Sequence, residues 1–405
     1  MADSFSGLGV APFFVERLGE RDIRVPTAIQ ALIIPRLLLG ENILFRSATG
    51  TGKTFAYLIP LFQNLLGLPS GAAGGPADSG PGTAGGKGPL ILILAPTYEL
   101  CSQIKQEADF LLRAYPGGTV PAHPPKASLI IGSAQPGRQI ETLKKDRPAV
   151  LVGNPGRLLH LARMGKLRLG GVRALVLDEG DRLVADELLG ETRDLAALVN
   201  PDRITAACSA TMGLKSRERL LPLMGTPVAG AETEDREILR DRIIHWALFS
   251  EGRRKIATLR SFIAAVQPRK ALVFTGQGWD VGNIVSQLQH HQLAAVGLYG
   301  DMDKRKRKAA LDDFRRDRAR ILVSSDLAAR GLDIPGISHI IALDLPPGPE
   351  AYIHRSGRTA RAGKRGLMVT IGDEEELRRL AVLEKKLGIT VYPKVLSHGG
   401  IHAPA

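Results

Sequence analysis

Eleven short apolar runs alternate with helical patterns along the chain, and this alternation limits the fold more than any other feature. The runs 42–46, 90–94, 128–131, 150–152, 174–177 and 204–208 form one series. A second comprises 271–274, 295–299, 321–324, 339–343 and 366–371. Continuous apolar strands spaced by helices are buried on both faces, as in parallel sheets with helices on either side. The expected class is therefore α/β, and 405 residues suit two domains. A polar, charge-rich stretch separates the series. It divides the chain into a first domain over 1–225, a linker over 226–242 and a second domain over 243–405.

The segment 67–89 breaks the pattern. Nine of its 23 residues are Gly, four are Pro, and Thr83 is its sole β-branched residue. It cannot bury enough apolar surface to offset its ordering entropy, so a flexible insertion is expected there. Elsewhere, 44% hydrophobic and 23% charged residues exclude a mostly disordered chain. No apolar run nears the roughly 18–20 residues of a membrane span, so no membrane partner is expected. Two cysteines, Cys101 and Cys208, are too few for a disulfide scaffold or a four-cysteine zinc site. Lys and Arg total 54 against 41 Asp and Glu, a formal net charge of +13 that suits a polyanionic partner. Residues 1–9 contain no Lys, Arg or apolar core, so no targeting signal is expected within them.

Two motifs carry chemistry. Ser47-Ala48-Thr49-Gly50-Thr51-Gly52-Lys53-Thr54 lies between an apolar run and a helical pattern. Its glycines let backbone N–H groups close around phosphate oxygens, and the helix start adds the positive end of its dipole. Lys53 would reach the β- and γ-phosphates and Thr54 would hold Mg2+. The strict pattern opens on Gly, where this chain has Ser47. Such a turn also serves as an ordinary strand–helix connection. Finding strand, Gly50, Gly52, Lys53, Thr54 and helix in this order favours phosphate. Further along, Leu175-Val176-Leu177-Asp178-Glu179-Gly180-Asp181 ends an apolar run in carboxylates. A parallel strand delivers them to the sheet edge where ligands bind. Asp178 is expected to hold Mg2+ and Glu179 to orient an attacking water. Alone, an acidic turn is more often a solvated loop, and the phosphate loop tips the reading.

With these motifs the chain resembles the DEAD-box RNA helicases of superfamily 2, over 5–366 and in the family's motif order. The resemblance implies two RecA-like domains, each a parallel sheet covered by helices on both faces. It also implies ATP with Mg2+, and RNA, single-stranded or as a short duplex, gripped through its backbone. The implied catalytic set is Lys53, Asp178, Glu179, Arg358 and Arg361, the two arginines reaching the γ-phosphate as fingers. Nucleotide contacts fall to Phe5 (stacking on adenine), Gln30 (reading its edge), Ser47, Ala48, Thr49, Gly50, Thr51, Gly52, Lys53, Thr54 and the ribose-binding Asp333. RNA contacts fall to Pro96, Thr97, Gly132, Asn154, Pro155, Gly156 and Arg157, then Thr275, Arg307, Ser325 and Asp326. Asp181, Ser209, Thr211 and His354 are implied to couple hydrolysis to strand separation.

Several positions depart from the family pattern. Asp22, Ser133 and Ala360 replace glycines, Tyr98 an arginine, Asn154 a threonine and Gly180 the family's alanine. Tyr98, Ser133, Asn154, Gly180 and Ala360 keep a second reading open, a non-catalytic ATP-gated RNA clamp or assembly platform. The basic run 304–308 equally suits a solvated face, a nuclear-localisation patch or phosphate contact. The departures, basic composition and insertion together are most similar to a vertebrate mitochondrial member tied to RNA granules and large-ribosomal-subunit assembly. That implies ribosomal RNA as target, a mitochondrial place and residues removed ahead of Met1, with nucleus or cytoplasm as the alternatives. A monomeric core is expected.

Overall fold

The computed structural model describes residues 4–47, 50–68, 88–113, 125–132, 134–232, 241–276, 280–300, 302–329, 334, 336–360 and 364–404. Ala48, Thr49, Ser133, Asp333, Arg361 and residues 69–87 of the insertion lie outside them. Contacts divide the chain into two compact units, the first comprising residues 1–47 and 51–233 and the second residues 234–405 together with 48–50.

The first unit is built on β1 (Asn42–Arg46), β2 (Ile91–Leu94), β3 (Ala127–Ile130), β4 (Val150–Gly153), β5 (Ala174–Asp178), β6 (Ile204–Ser209) and β7 (Val228–Glu232). Their order in the sheet is β3-β4-β2-β5-β6-β1-β7. Every neighbouring pair is parallel. Ile91 and Ile93 enter one core cluster and Leu92 and Leu94 another. That is the two-residue period of a strand covered on both faces. In register, Asp178 lies opposite Cys208 and Arg46 opposite Ser209. The C-terminal ends of β5, β6 and β1 therefore finish level at one edge, where the phosphate loop begins.

The second unit is built on β8 (Ile243–Phe249), β9 (Ala271–Thr275), β10 (Ala295–Leu298), β11 (Ile321–Ser325), β12 (His339–Ala342), β13 (Gly366–Gly372), β14 (Val391–Ser397) and β15 (Gly400–His402). Their order is β10-β11-β9-β12-β13-β8-β14-β15. Leu272 and Phe274 pack in one cluster, Ala271 and Val273 in the other.

Two expectations need correction. The second sheet is not wholly parallel, because β14 and β15 form an antiparallel hairpin at its edge. The two residues between them, His398 and Gly399, have φ of 50° and 71°, the double positive φ that matches the twist of a tight hairpin. The stretch 226–242 is also not all linker. Its residues Val228–Glu232 form β7, which pairs along β1. Edge position lets a run of Val, Ala and Gly with a terminal Glu serve as a strand without the apolar continuity of a central one. Among the described residues no helix is long and apolar enough to cross a membrane.

Candidate functional site

At the edge where β1 ends, the Ser47 N–H donates to the Ser209 carbonyl at 3.0 Å and fixes the start of the phosphate loop. Ser47 is fully buried, and its hydroxyl lies 2.7 Å from that of Thr51. Gly50 and Gly52 have φ of 82° and 90°, a region where glycine alone is unstrained. Gly52 caps the helix Lys53–Leu66. Lys53 folds back over the loop, its Nζ donating to the Ser47 carbonyl at 2.6 Å. A Cβ at Gly52 would strike Gln30 Nε2, so the loop is a cradle that admits backbone only. These features fit a polyphosphate: an ammonium and a helix start converge on one concave loop.

Gln30 braces this loop. Its amide nitrogen donates to the Gly52 carbonyl at 3.2 Å, and its oxygen accepts from the Thr27 N–H at 2.9 Å. Thr27 and Gln30 form a reciprocal cap on the helix Ala28–Leu38. Phe5 is corrected to a core position: it is 1% exposed and packs in the first unit's apolar cluster, so its ring offers no open stacking face.

β5 delivers Asp178 to the same edge, 4% exposed. Its Oδ1 accepts from the Glu179 N–H at 2.9 Å and from Cys208 Sγ at 3.2 Å. Its Oδ2 accepts from the Tyr57 hydroxyl at 2.8 Å. Glu179 has φ of 51°, turning the chain sharply into the short helix Gly180–Leu183. A Cβ on Gly180 would lie 3.3 Å from both Leu220 methyls, so packing against Leu220 explains glycine at this position. Thr211 Oγ1 donates to Asp181 Oδ2 at 2.6 Å, and the Thr211 N–H to Ser209 Oγ at 3.2 Å. Asp178 and Thr54 thus stand on neighbouring elements beside the loop. Among the described residues no group of three or more His, Cys, Asp or Glu could hold a metal alone. A divalent ion here would need phosphate oxygens and water as its remaining ligands.

The first unit's second set of loops leaves β2, β3 and β4. Thr97 caps the helix Tyr98–Leu112, accepting from the Leu100 N–H at 3.3 Å. Asn154 Nδ2 donates to the Ala95 carbonyl at 3.0 Å. Arg157 Nη2 donates to the Gly132 and Ala134 carbonyls at 2.6 and 3.2 Å. These bonds bring Pro96, Thr97, Gly132, Asn154, Pro155, Gly156 and Arg157 to one edge. Tyr98 is 48% exposed beside them.

In the second unit Thr275 ends β9 and is fully buried, with its hydroxyl unbonded among the described residues. Arg307 Nη2 donates to the Ala328 carbonyl at 2.9 Å, and Ser325 Oγ accepts from the Ala328 N–H at 3.4 Å. Asp326 is committed to an arginine that sequence reading left without a role. Arg355 Nε and Nη2 donate to its two oxygens at 2.7 and 2.5 Å, and Nη1 donates to the Asp344 carbonyl at 2.6 Å. Asp344 Oδ2 in turn accepts from the Gly276 N–H at 2.6 Å. Arg355 therefore clamps Asp326 and the ends of β9 and β12 together. His354 precedes it in the helix Pro349–Ser356, and Arg358 follows, buried. The glycine replacements Asp22 and Ala360 both have φ of 56°. The chain keeps the left-handed geometry and carries its strain, less for Asp than for Ala.

A P-loop nucleotide site on a parallel sheet, in a chain with a second sheet unit, is the class that fold and site define. Family models for "DEAD/DEAH box helicase" and "Helicase conserved C-terminal domain" match residues 27–220 and 254–363. The DEAD-box ATP-dependent RNA helicase CshC of Bacillus cereus is 34% identical over 380 residues, covering 93% of this chain and 90% of that protein. The S. cerevisiae Dbp5 structure bound to RNA and ADP BeF3 aligns with a TM-score of 0.79 at 24% identity, over 97% of this chain and 96% of that one. A DEAD box protein from Methanococcus jannaschii aligns at 0.53 and 25% identity, over 96% and 98%. This chain belongs to the DEAD-box helicase family.

Proposed function

We propose that this chain is an ATP-dependent RNA helicase in which RNA-stimulated ATP hydrolysis drives local separation of short duplexes. The observation that carries the reading is the Lys53 ammonium and the Asp178 carboxylate held at one sheet edge, with Asp181 bonded from there to Thr211. Residues 47–54 bind the phosphates, and Lys53 neutralises their charge. Bound Mg2+ would sit beside Thr54 and Asp178 and withdraw charge from the phosphate oxygens. Glu179 orients water, while Arg358 and Arg361 from the second unit stabilise the leaving charge and Asp333 meets the ribose. Gln30 exchanges its internal bonds for the adenine edge. RNA phosphates and 2′-hydroxyls meet the 96–97, 132 and 154–157 loops, and in the second unit Arg307 and Ser325, while Thr275, fully buried at the end of β9, supports that edge from behind. The Asp326 carboxylate, held by Arg355, orders that loop rather than reaching RNA itself.

ATP hydrolysis measured with and without RNA tests this reading. The wild type should be stimulated by RNA and Lys53→Ala should be inactive. ATP-dependent RNA retention with no turnover would identify a clamp instead. We place the activity on ribosomal RNA in mitochondria. The basic composition, the insertion and the departures at Tyr98, Asn154, Gly180 and Ala360 support that placement. A cellular RNA cross-linking map enriched on mitochondrial ribosomal RNA supports it; broad messenger RNA enrichment sinks it.

A further inference from the structure

The helix after the phosphate loop places Tyr57 one turn beyond Thr54, on the same face. Tyr57 is 0% exposed. Its hydroxyl donates to Asp178 Oδ2 at 2.8 Å. Core packing does not ask for this hydroxyl, since phenylalanine fills nearly the same volume without a buried polar atom to satisfy. The Cys208 thiol caps the opposite carboxylate oxygen at 3.2 Å.

We propose that Tyr57 is a positioning residue for the metal side of the nucleotide site. Its hydroxyl holds Asp178 in the orientation that receives the Mg2+ accompanying ATP. This rests on the ATP reading above. A carboxylate at a strand end turns about two side-chain bonds. The Tyr57 hydroxyl on Oδ2 and the Cys208 thiol on Oδ1 fix its plane before any ion arrives. Without the hydroxyl, Oδ2 loses its donor and the ion must reorder the carboxylate.

The test is titration of a fluorescent ADP into the full chain, once with Mg2+ and once with EDTA. The readout is the ratio of the two affinities. Tyr57→Phe keeps the ring and removes the bond to Asp178. Its affinity in EDTA should match the wild type, and its Mg2+-dependent gain should fall about tenfold, the low end for outer partners of metal-facing carboxylates. In an Asp178→Asn background, Tyr57→Phe should change the ratio no further. An unchanged ratio in the single variant overturns the proposal. So does a parallel loss of both affinities with a lowered melting midpoint, which marks a packing role. If the wild type binds nucleotide under neither condition, the ATP reading itself has failed and this proposal with it.

Discussion

Removing the Arg355 guanidinium should destabilise the second unit selectively. Its side chain is 3% exposed and Asp326 is 32% exposed. The guanidinium makes three bonds of 2.5–2.7 Å to Asp326 and to the Asp344 carbonyl, and it packs 5.2 Å from the Phe274 ring centre. Deleting one member of a buried ion pair costs about 3–5 kcal/mol, because the partner is left desolvated and unmatched. Asp326 is partly open, so water recovers some of that loss and the lower end, about 3 kcal/mol, applies to Arg355→Ala. For a unit of this size that is a fall of roughly 6–12 °C in melting midpoint. Both tryptophans, Trp246 and Trp279, belong to the second unit, so the thermal transition in tryptophan emission reports that unit alone. Arg355→Lys keeps the charge but loses the planar fork and should recover only part of the fall. A shift under about 2 °C for Arg355→Ala would show that the clamp contributes little and refute the reasoning.

Three further outcomes follow. Ala360→Gly should stabilise the second unit by about 1 kcal/mol, read from the same emission, because φ of 56° strains alanine and not glycine. Thr211→Val removes the 2.6 Å bond to Asp181; duplex separation should fall roughly tenfold relative to ATP hydrolysis, measured on one preparation. Burial lowers the pKa of His339, so the unfolded chain binds its proton first as pH falls. Stability is full above about pH 6.5 and declines below it, and in melts across pH 5–8 His339→Gln should flatten that decline.

Central strands were legible because burial on both faces writes itself as continuous apolar residues. All eleven runs are strands, with ends moved by at most one residue. The four strands missed lack that signature. β7 is small-residue edge, and β8 mixes buried Ile243 and His245 with exposed Ile244 and Phe249. β14 contains Pro393, and β15 is three residues long. At the site, local motifs announced Lys53 and Asp178, whose chemistry and order are both in the sequence, and the family resemblance implied Thr211. Arg355 was hidden because its partners Asp326 and Asp344 are brought to it only by the sheet. Tyr57 belongs to no motif, and only the fold sets its hydroxyl against Asp178. Phe5 shows the converse: the resemblance implied a stacking role, and packing places the ring in the core.

The most direct measurement of the central claim is separation of a short RNA duplex bearing a single-stranded extension, followed with ATP, with a non-hydrolysable analogue, and with the Lys53→Ala variant. Multiple-turnover separation is expected with ATP, at most one round with the analogue and none with Lys53→Ala. Tight ATP-dependent binding of the extension with the duplex left intact would contradict it.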